Sequence, residues 1–228
     1  MSNFLNFINE EEETVSYFKN SIVSGRAKSD RIESIKNMIF YSSIRKTIAH
    51  FSAEHSKDVV TQSLLESITA FEEGFKWEGF DKSYGMYDQI IWILSLGILC
   101  EISDDDFKRI VAVLKRDNAT DRLIKTLVNY RLPNEIDGSS YIQKSPYADL
   151  DMLVTGVNKS ASFIKNYLDK KWYQGHDDAP WYDSHKRTKV NTYFGYWAWE
   201  VGALAKIFNI NDKELENQKY YPYRAVHW

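Results

Sequence analysis

The sequence predicts an all-α protein: a multi-helix bundle of long antiparallel helices with an aromatic-rich central helix in its C-terminal half. Three observations support this fold class. Apolar residues recur at helical spacing along most of the chain, and no alternating run exceeds a few residues. Only 4 prolines and 10 glycines occur in 228 residues, too few for a turn-rich β-sandwich. A chain that is 43% hydrophobic and 15% aromatic can also build a sizeable core.

The N-terminal third should form three helices. The first is predicted over residues 9–25, where Asn9 and Glu12 form a capping box and a glycine ends the helix. The second should run over residues 29–50, because isoleucine and phenylalanine recur along a slowly drifting face. The third is expected over residues 56–77 with a serine as its cap, followed by a loop over residues 76–85.

The middle of the chain predicts a buried helix and two shorter ones. Residues 83–100 are apolar nearly all round the helix, which is typical of burial on several sides. Ser103 and Asp106 form a second capping box, and residues 123–128 give one more short helix. The three aspartates at 104–106 lack the spacing and the glycine of a calcium loop, so helix capping explains them better.

The clearest break lies around residues 131–146, which contain two prolines and a glycine. We place a soft boundary there, between an N-terminal helical part (residues 1–132) and a C-terminal helical part (residues 133–228) of one compact unit. Beyond it, helices are predicted near residues 146–155, 158–173, 190–208 and 212–217. The helix at 190–208 is the predicted central one, because aromatic and aliphatic residues share one of its faces.

The stretch over residues 172–200 holds four of the seven tryptophans. Its first half is predicted to be a polar surface loop, and this loop has the highest density of side chains that could bind or react. The residues that could carry chemistry or binding are His176, Asp177, Asp178, Trp181, Tyr182, Asp183 and His185.

Composition and charge narrow the function classes. The net charge is −3, and the basic residues form no long block, so direct nucleic-acid binding is not expected. The longest apolar run, residues 90–99, is far short of the roughly 20 residues that span a bilayer. No signal peptide is visible, so we expect a cytoplasmic protein without a membrane partner. Cys100, the single cysteine, lies in an apolar run and is interpreted as a small buried hydrophobe.

Several runs of the sequence resemble a known protein family. The runs WYDSHK (181–186), YFGYWAWEVGALAKIFNIND (193–212) and KYYPYRAVHW (219–228) resemble the C-terminal half of the PoNi-type bacterial immunity proteins. The run YDQIIWILSLGILCEI (87–102) gives a weaker N-terminal match. This resemblance implies an all-helical protein that binds and blocks a cognate DNase toxin in the cytoplasm. Such toxins are delivered between competing bacteria, often by type VI secretion. No catalytic activity, cofactor or metal is implied, and a second copy of the chain stays open as a partner.

Two interpretations of the polar loop follow. In a binding protein, Asp177, Asp178 and Asp183 would face a basic DNase cleft, with Trp181 and Tyr182 as aromatic anchors. The structural alternative is a solvated loop whose two aromatic side chains pack onto the core.

Two further hypotheses stay open. A metal-dependent hydrolase could use the loop between His176 and His185, although no supporting HExxH motif, phosphate loop or GxSxG elbow occurs. A helical scaffold for another partner is the third hypothesis. Glu200, inside the aromatic stretch, is expected to be a buried carboxylate paired with a basic group or a tyrosine hydroxyl.

Overall fold

The computed structural model describes residues 2–77 and 83–228, and within them it contains ten α-helices and no strand. The all-α prediction is therefore confirmed. None of the helices in these ranges is long and apolar enough to cross a membrane. The chain divides into two compact units: residues 1–76 with 183–195, and residues 77–182 with 196–228. The predicted boundary at 132/133 stays a prediction.

The first unit is built on three helices, α1 (Ser2–Val23), α2 (Ile32–Ser52) and α3 (Lys57–Gly74). Helix α2 packs against both α1 and α3. The core of this unit consists mainly of aliphatic and phenylalanine side chains. Fully buried members are Phe7, Phe40, Ile44, Ile48, Leu64, Ile68, Phe71 and Phe75.

The predicted start of the first helix, at Asn9, is wrong. Helix α1 begins at Ser2, seven residues earlier, so Asn9 lies inside the helix. Phe4 stacks on Tyr193 with ring centroids 5.5 Å apart, and Phe7 lies 5.8 Å from Phe194. These contacts come from a segment nearly 190 residues away, and packing of this kind extends a helix past a possible cap.

Two predicted caps are confirmed. The Ser56 hydroxyl accepts the amide of Val59 at 3.5 Å, where α3 begins. The Ser103 hydroxyl accepts the amide of Asp106 at 3.1 Å, which opens α5 (Asp104–Arg116). The loop predicted over residues 76–85 lies partly outside the described residues.

The second unit is centred on α4 (Tyr84–Leu99). This helix packs against α5, α6 (Arg122–Arg131) and α9 (Trp199–Ile207), which confirms that it is buried on several sides. The remaining helices are short: α7 (Asp151–Val154), α8 (Ala161–Tyr167) and α10 (Tyr223–Val226). Helix α8 continues as a π-turn over Leu168–Trp172, and Lys213–Leu215 forms a single 3-10 turn.

The helix predicted over residues 190–208 begins nine residues late, as α9. Residues 191–198 are not helical, and Gly195 has a φ of +107°, which other residues rarely adopt. The Ala198 amide donates to the Tyr220 carbonyl at 2.8 Å instead of extending the helix. Val190, the first residue of the predicted helix, is 64% exposed. Long-range contacts therefore override the helical spacing of these aromatic residues.

Candidate functional site

The polar loop is a compact series of turns in the second unit. Residues 173–182, named the aspartate loop here, follow directly on the π-turn Leu168–Trp172. Three backbone hydrogen bonds close successive turns: His176 to Tyr173 at 3.2 Å, Ala179 to His176 at 2.9 Å and Tyr182 to Ala179 at 2.9 Å. The loop is thus held by its own backbone as well as by the side chains beneath it.

The five predicted contact residues have different surroundings. Asp177 and Asp178 are exposed, whereas Trp181 is buried and Tyr182 is half-buried. Asp183 belongs to the first unit, where its carboxylate pairs with Lys186 at 2.9 Å. Only the two adjacent aspartates are therefore presented as a free acidic pair on the aspartate loop.

Trp181 is a structural residue of the loop, because a buried carboxyl group binds its indole. The indole N–H donates to Oδ2 of Asp88, a residue of α4, at 2.7 Å. Oδ1 of Asp88 lies 2.6 Å from the Tyr147 hydroxyl, which in turn lies 3.2 Å from Nε2 of His176. Nδ1 of His176 donates to the Trp172 carbonyl. Both ends of the loop are thus tied to one buried polar network.

An aromatic cluster surrounds this network. The rings of Trp172 and Trp181 stack with centroids 5.6 Å apart, and those of Tyr173 and Tyr220 are nearly parallel at 5.3 Å. The Trp172 indole donates to Oε1 of Glu200 at 2.8 Å. Glu200 is therefore buried as predicted, but the donor is a tryptophan rather than a basic group or a tyrosine.

Gly175 allows the loop to approach the neighbouring segment closely. A Cβ atom at this position would lie 2.6 Å from Cβ of Pro146, closer than real contacts permit. The Tyr84 hydroxyl bridges the same two segments, since it lies 2.8 Å from the Ser145 carbonyl and 3.1 Å from that of Gly175. The loop conformation therefore depends on a residue without a side chain.

Burial shifts the pKa values of two carboxyl groups and one imidazole beneath the loop. Desolvation raises the pKa of Asp88 to about 7, although hydrogen bonds from Tyr147 and Trp181 oppose the shift. It likewise raises the pKa of Glu200 to about 8. Burial lowers the pKa of His176 to about 3, so its imidazole is neutral in ordinary buffers.

The metal-ligand pattern suggested by the sequence is not assembled in the described residues. His176 is buried with both ring nitrogens engaged, whereas His185 is exposed and belongs to the first unit. No group of three or more His, Cys, Asp or Glu side chains in residues 2–77 and 83–228 is placed to share a metal ion. The loop geometry therefore gives no support to the hydrolase hypothesis.

The first unit has its own concave surface, next to a buried lysine. A groove of about 450 Å³ is lined by α2 and α3, with Lys46, His50 and Glu66 among its residues. Lys46 pairs with Glu66 at 2.9 Å and also with Glu12 on α1. The lysine is thus already neutralised by two carboxylates, and its geometry is that of an interhelical brace.

Sequence reasoning missed Asp88, which organises the loop. A signal was present, since Asp88 is the only acidic residue in the largely apolar run over residues 87–100. A carboxyl group on a buried helix requires buried donors, and the nearby aromatic residues with N–H or O–H groups could supply them. The sequence does not reveal which donors these are, because Trp181 lies 93 residues further along the chain.

Comparisons with known proteins agree over nearly the whole chain. A solved structure, that of protein PA2201 from Pseudomonas aeruginosa, has the same fold with a TM-score of 0.74 at 15% identity, over 99% of this chain and 87% of that one. No curated protein matches the sequence. Two family models do: the N-terminal part of the PoNe immunity proteins (PoNi) matches residues 4–112, and the C-terminal part matches residues 119–224. The chain therefore belongs to the PoNe immunity protein family.

Proposed function

We propose that this immunity protein binds a DNase toxin of the PoNe type in the cytoplasm and neutralises it by covering the active site, with the aspartate loop at the contact. Family membership carries the toxin-binding role. The resemblance noted in the sequence supports a DNase as the target and type VI or related secretion as its route. The proposed role includes no catalytic step by the immunity protein.

Charge supports the choice of the aspartate loop. A DNase cleft must be positively charged to hold the phosphates of its substrate. Asp177 and Asp178 are adjacent and exposed, so both carboxylates can reach such a cleft directly. Opposite charges on the two proteins would accelerate association and favour the correct partner.

Rigidity is the second supporting feature. A loop that is already ordered loses little conformational entropy when it binds. Here three backbone turns and the buried side chains of His176 and Trp181 fix the loop before any partner arrives. Tyr182, which is half-buried, adds apolar surface beside the carboxylates.

Charge reversal of the two aspartates tests the proposal. The double variant Asp177→Lys, Asp178→Lys should bind the toxin about ten-fold or more weakly, mainly through slower association. Its circular dichroism should remain that of the wild type, because neither side chain is buried. Calorimetry and a DNA-cleavage assay with added immunity protein measure binding and protection.

A matched control separates this local effect from the change in net charge. Asp105 and Asp137 are exposed aspartates of the same unit, and each is replaced by lysine in the control. The control should bind and protect almost as well as the wild type. Equal affinities of the two double variants would remove the aspartate loop from the interface. Asp183→Lys is measured separately, because that residue lies in the first unit and is already paired.

A further inference from the structure

A chain of buried hydrogen bonds connects helix α4 to the aspartate loop. It runs from the Asp88 carboxyl through the Tyr147 hydroxyl to Nε2 of His176, with heavy-atom distances of 2.6 Å and 3.2 Å. It ends where Nδ1 of His176 meets the Trp172 carbonyl. Asp88, Tyr147 and His176 are each at most 1% exposed, so their polar groups depend on one another for hydrogen bonds.

The protons in this chain can be counted. A carbonyl only accepts, so Nδ1 of His176 carries a proton, and in the neutral ring Nε2 is an acceptor. Nε2 then accepts a hydrogen bond from the Tyr147 hydroxyl, and the Tyr147 oxygen in turn accepts one from a protonated Asp88. If the imidazole is protonated instead, the two bonds of the Tyr147 hydroxyl reverse and Asp88 is ionised, whereas Nδ1 still donates to the Trp172 carbonyl. Both arrangements hold one titratable proton between Asp88 and His176.

Removal of that proton leaves the chain one donor short. Ionised Asp88 and neutral His176 would both require the single proton of the Tyr147 hydroxyl. One buried acceptor would then have no hydrogen bond, which is costly because water does not reach the site. The Trp181 indole cannot compensate, because its N–H is already committed to the other oxygen of Asp88.

We propose that Asp88 is a positioning residue for the aspartate loop, and that the one proton it shares with His176 keeps the loop in its ordered conformation. Loss of this proton loosens the loop around Asp177 and Asp178. The consequence for toxin binding rests on the proposed function. The proton-dependent hydrogen-bond chain from Asp88 to His176, named the clamp here, is a property of the free protein.

Burial sets the pH at which the clamp opens. The pKa of Asp88 is raised to about 7 and that of His176 is lowered to about 3, so the proton resides on Asp88 and is lost above neutral pH. The other titratable groups that face Asp88 lie on several elements of the second unit. They are Tyr84 and Tyr87 on α4, Tyr147, Tyr167 on α8 and Glu200 on α9.

Glu200 is the neighbour that must be controlled. The pKa values of the four tyrosines are raised by burial, so these groups stay neutral over the tested range. The pKa of Glu200 is raised to about 8, so this group ionises just above Asp88. The variant Glu200→Gln removes that titration and keeps an acceptor for the Trp172 indole.

Hydrogen exchange of the free protein tests the clamp. The protection of the amides of His176, Ala179 and Tyr182, corrected for intrinsic exchange rates, is compared at pH about 6 and about 8, either side of the Asp88 pKa. In the wild type, protection should fall about five-fold to a hundred-fold at the higher pH, as expected for one unsatisfied buried acceptor. Glu200→Gln should retain this fall. Equal protection of the wild type at the two pH values would overturn the proposal without any variant.

Asp88→Asn is the decisive variant. The asparagine amide can donate to the Tyr147 oxygen while its carbonyl accepts from Trp181, which reproduces the protonated carboxyl without a titrating proton. Loop protection should match the wild type at the lower pH and persist at the higher one. Wild-type pH dependence in this variant, or loss of protection at both pH values, would refute the positioning role.

Asp121→Asn is the matched control. Asp121 is equally buried in the same unit, but it binds the Tyr87 hydroxyl and the amides of Leu123, Ile124 and Ile142 rather than the loop. This variant should keep the wild-type pH dependence of loop protection. Loss of that dependence here would show that any buried carboxyl in the unit has the same effect, and would overturn the assignment to Asp88.

Toxin binding separates this inference from the proposed function. If the clamp behaves as expected but Asp177→Lys, Asp178→Lys binds normally, the loop is clamped by Asp88 and the proposed contact is wrong. If the double variant binds weakly but loop protection is independent of pH, the contact stands and the clamp is refuted. When both hold, wild-type affinity should fall about five-fold or more at the higher pH, and Asp88→Asn should abolish this fall.

Discussion

The buried Glu200 should make the protein less stable as the pH rises, and Glu200→Gln should remove this effect. Glu200 lies in the first turn of α9, is 2% exposed and accepts the Trp172 indole N–H at 2.8 Å. No basic side chain is among the groups that shift its pKa. The carboxyl group is therefore favoured in its neutral form, which glutamine imitates in shape and in its acceptor oxygen.

The magnitude follows from linkage. The pKa of Glu200 rises from 4.5 to about 8 on folding, mainly because burial disfavours the charged form. Between these values the folded state binds more protons than the unfolded state, so stability falls with rising pH. One pKa unit corresponds to about 1.36 kcal/mol, so the ionisation of Glu200 should cost the folded protein roughly 3–5 kcal/mol of stability, with the complete pKa shift giving the upper end. Near pH 5 the variant should be more stable than the wild type by less than about 1 kcal/mol, and near pH 8 the difference should reach the full effect.

Urea unfolding between pH about 5 and about 8 measures the difference. Because the pKa of Asp88 is also raised on folding, Asp88 lowers the stability of the folded protein as the pH rises, as Glu200 does. The pKa of His176 is lowered on folding, so between its folded and unfolded pKa values His176 raises the stability with rising pH. Subtracting the variant from the wild type cancels the contribution of His176 and most of that of Asp88, whose charge also raises the pKa of Glu200. Glu216→Gln, at an exposed site of the same unit, serves as the control and should follow the wild type. Parallel curves for wild type and Glu200→Gln would refute the reasoning.

Two packing predictions test the structure independently of the toxin. Gly175→Ala places a Cβ atom 2.6 Å from Pro146, so we expect the free energy of unfolding, measured in urea, to fall by about 1–3 kcal/mol and the toxin complex to weaken. An unchanged unfolding midpoint would contradict this close approach. Phe71→Ala empties a fully buried site where rings of Phe40 and Phe75 lie 4.8 Å and 4.6 Å away, so unfolding should require about 3–5 kcal/mol less; a loss under about 1 kcal/mol would show that this cluster is loosely packed.

Local signals predicted much of the helical framework. The caps at Ser56 and Ser103 need only the next three residues, and both form as expected. Helix α4 is apolar on nearly all of its faces, and this pattern also predicts its burial, because a helix without a polar face has to be covered on several sides. Features that depend only on residues close together in the chain can thus be predicted from a single sequence.

Features set by distant contacts were not predictable in this way. Helix α1 starts before Asn9 because Phe4 and Phe7 meet Tyr193 and Phe194. The segment before α9 is not helical, and its last amide binds the Tyr220 carbonyl. Helical spacing alone cannot distinguish this arrangement from a longer helix, since the same aromatic residues can be buried either way.

The same limit applies to the aspartate loop, and it changes what the loop can contribute to binding. The sequence left Trp181 as either an exposed anchor or a core residue, and the structure commits it to Asp88. Two exposed carboxylates and one half-buried tyrosine cannot supply the roughly 800 Å² that each partner buries in a typical stable complex. The loop is therefore suited to steering and orientation, with an effect on association that weakens as salt increases. If the complex is as stable as a typical inhibitor complex, apolar surface elsewhere on the chain would have to limit its dissociation rate.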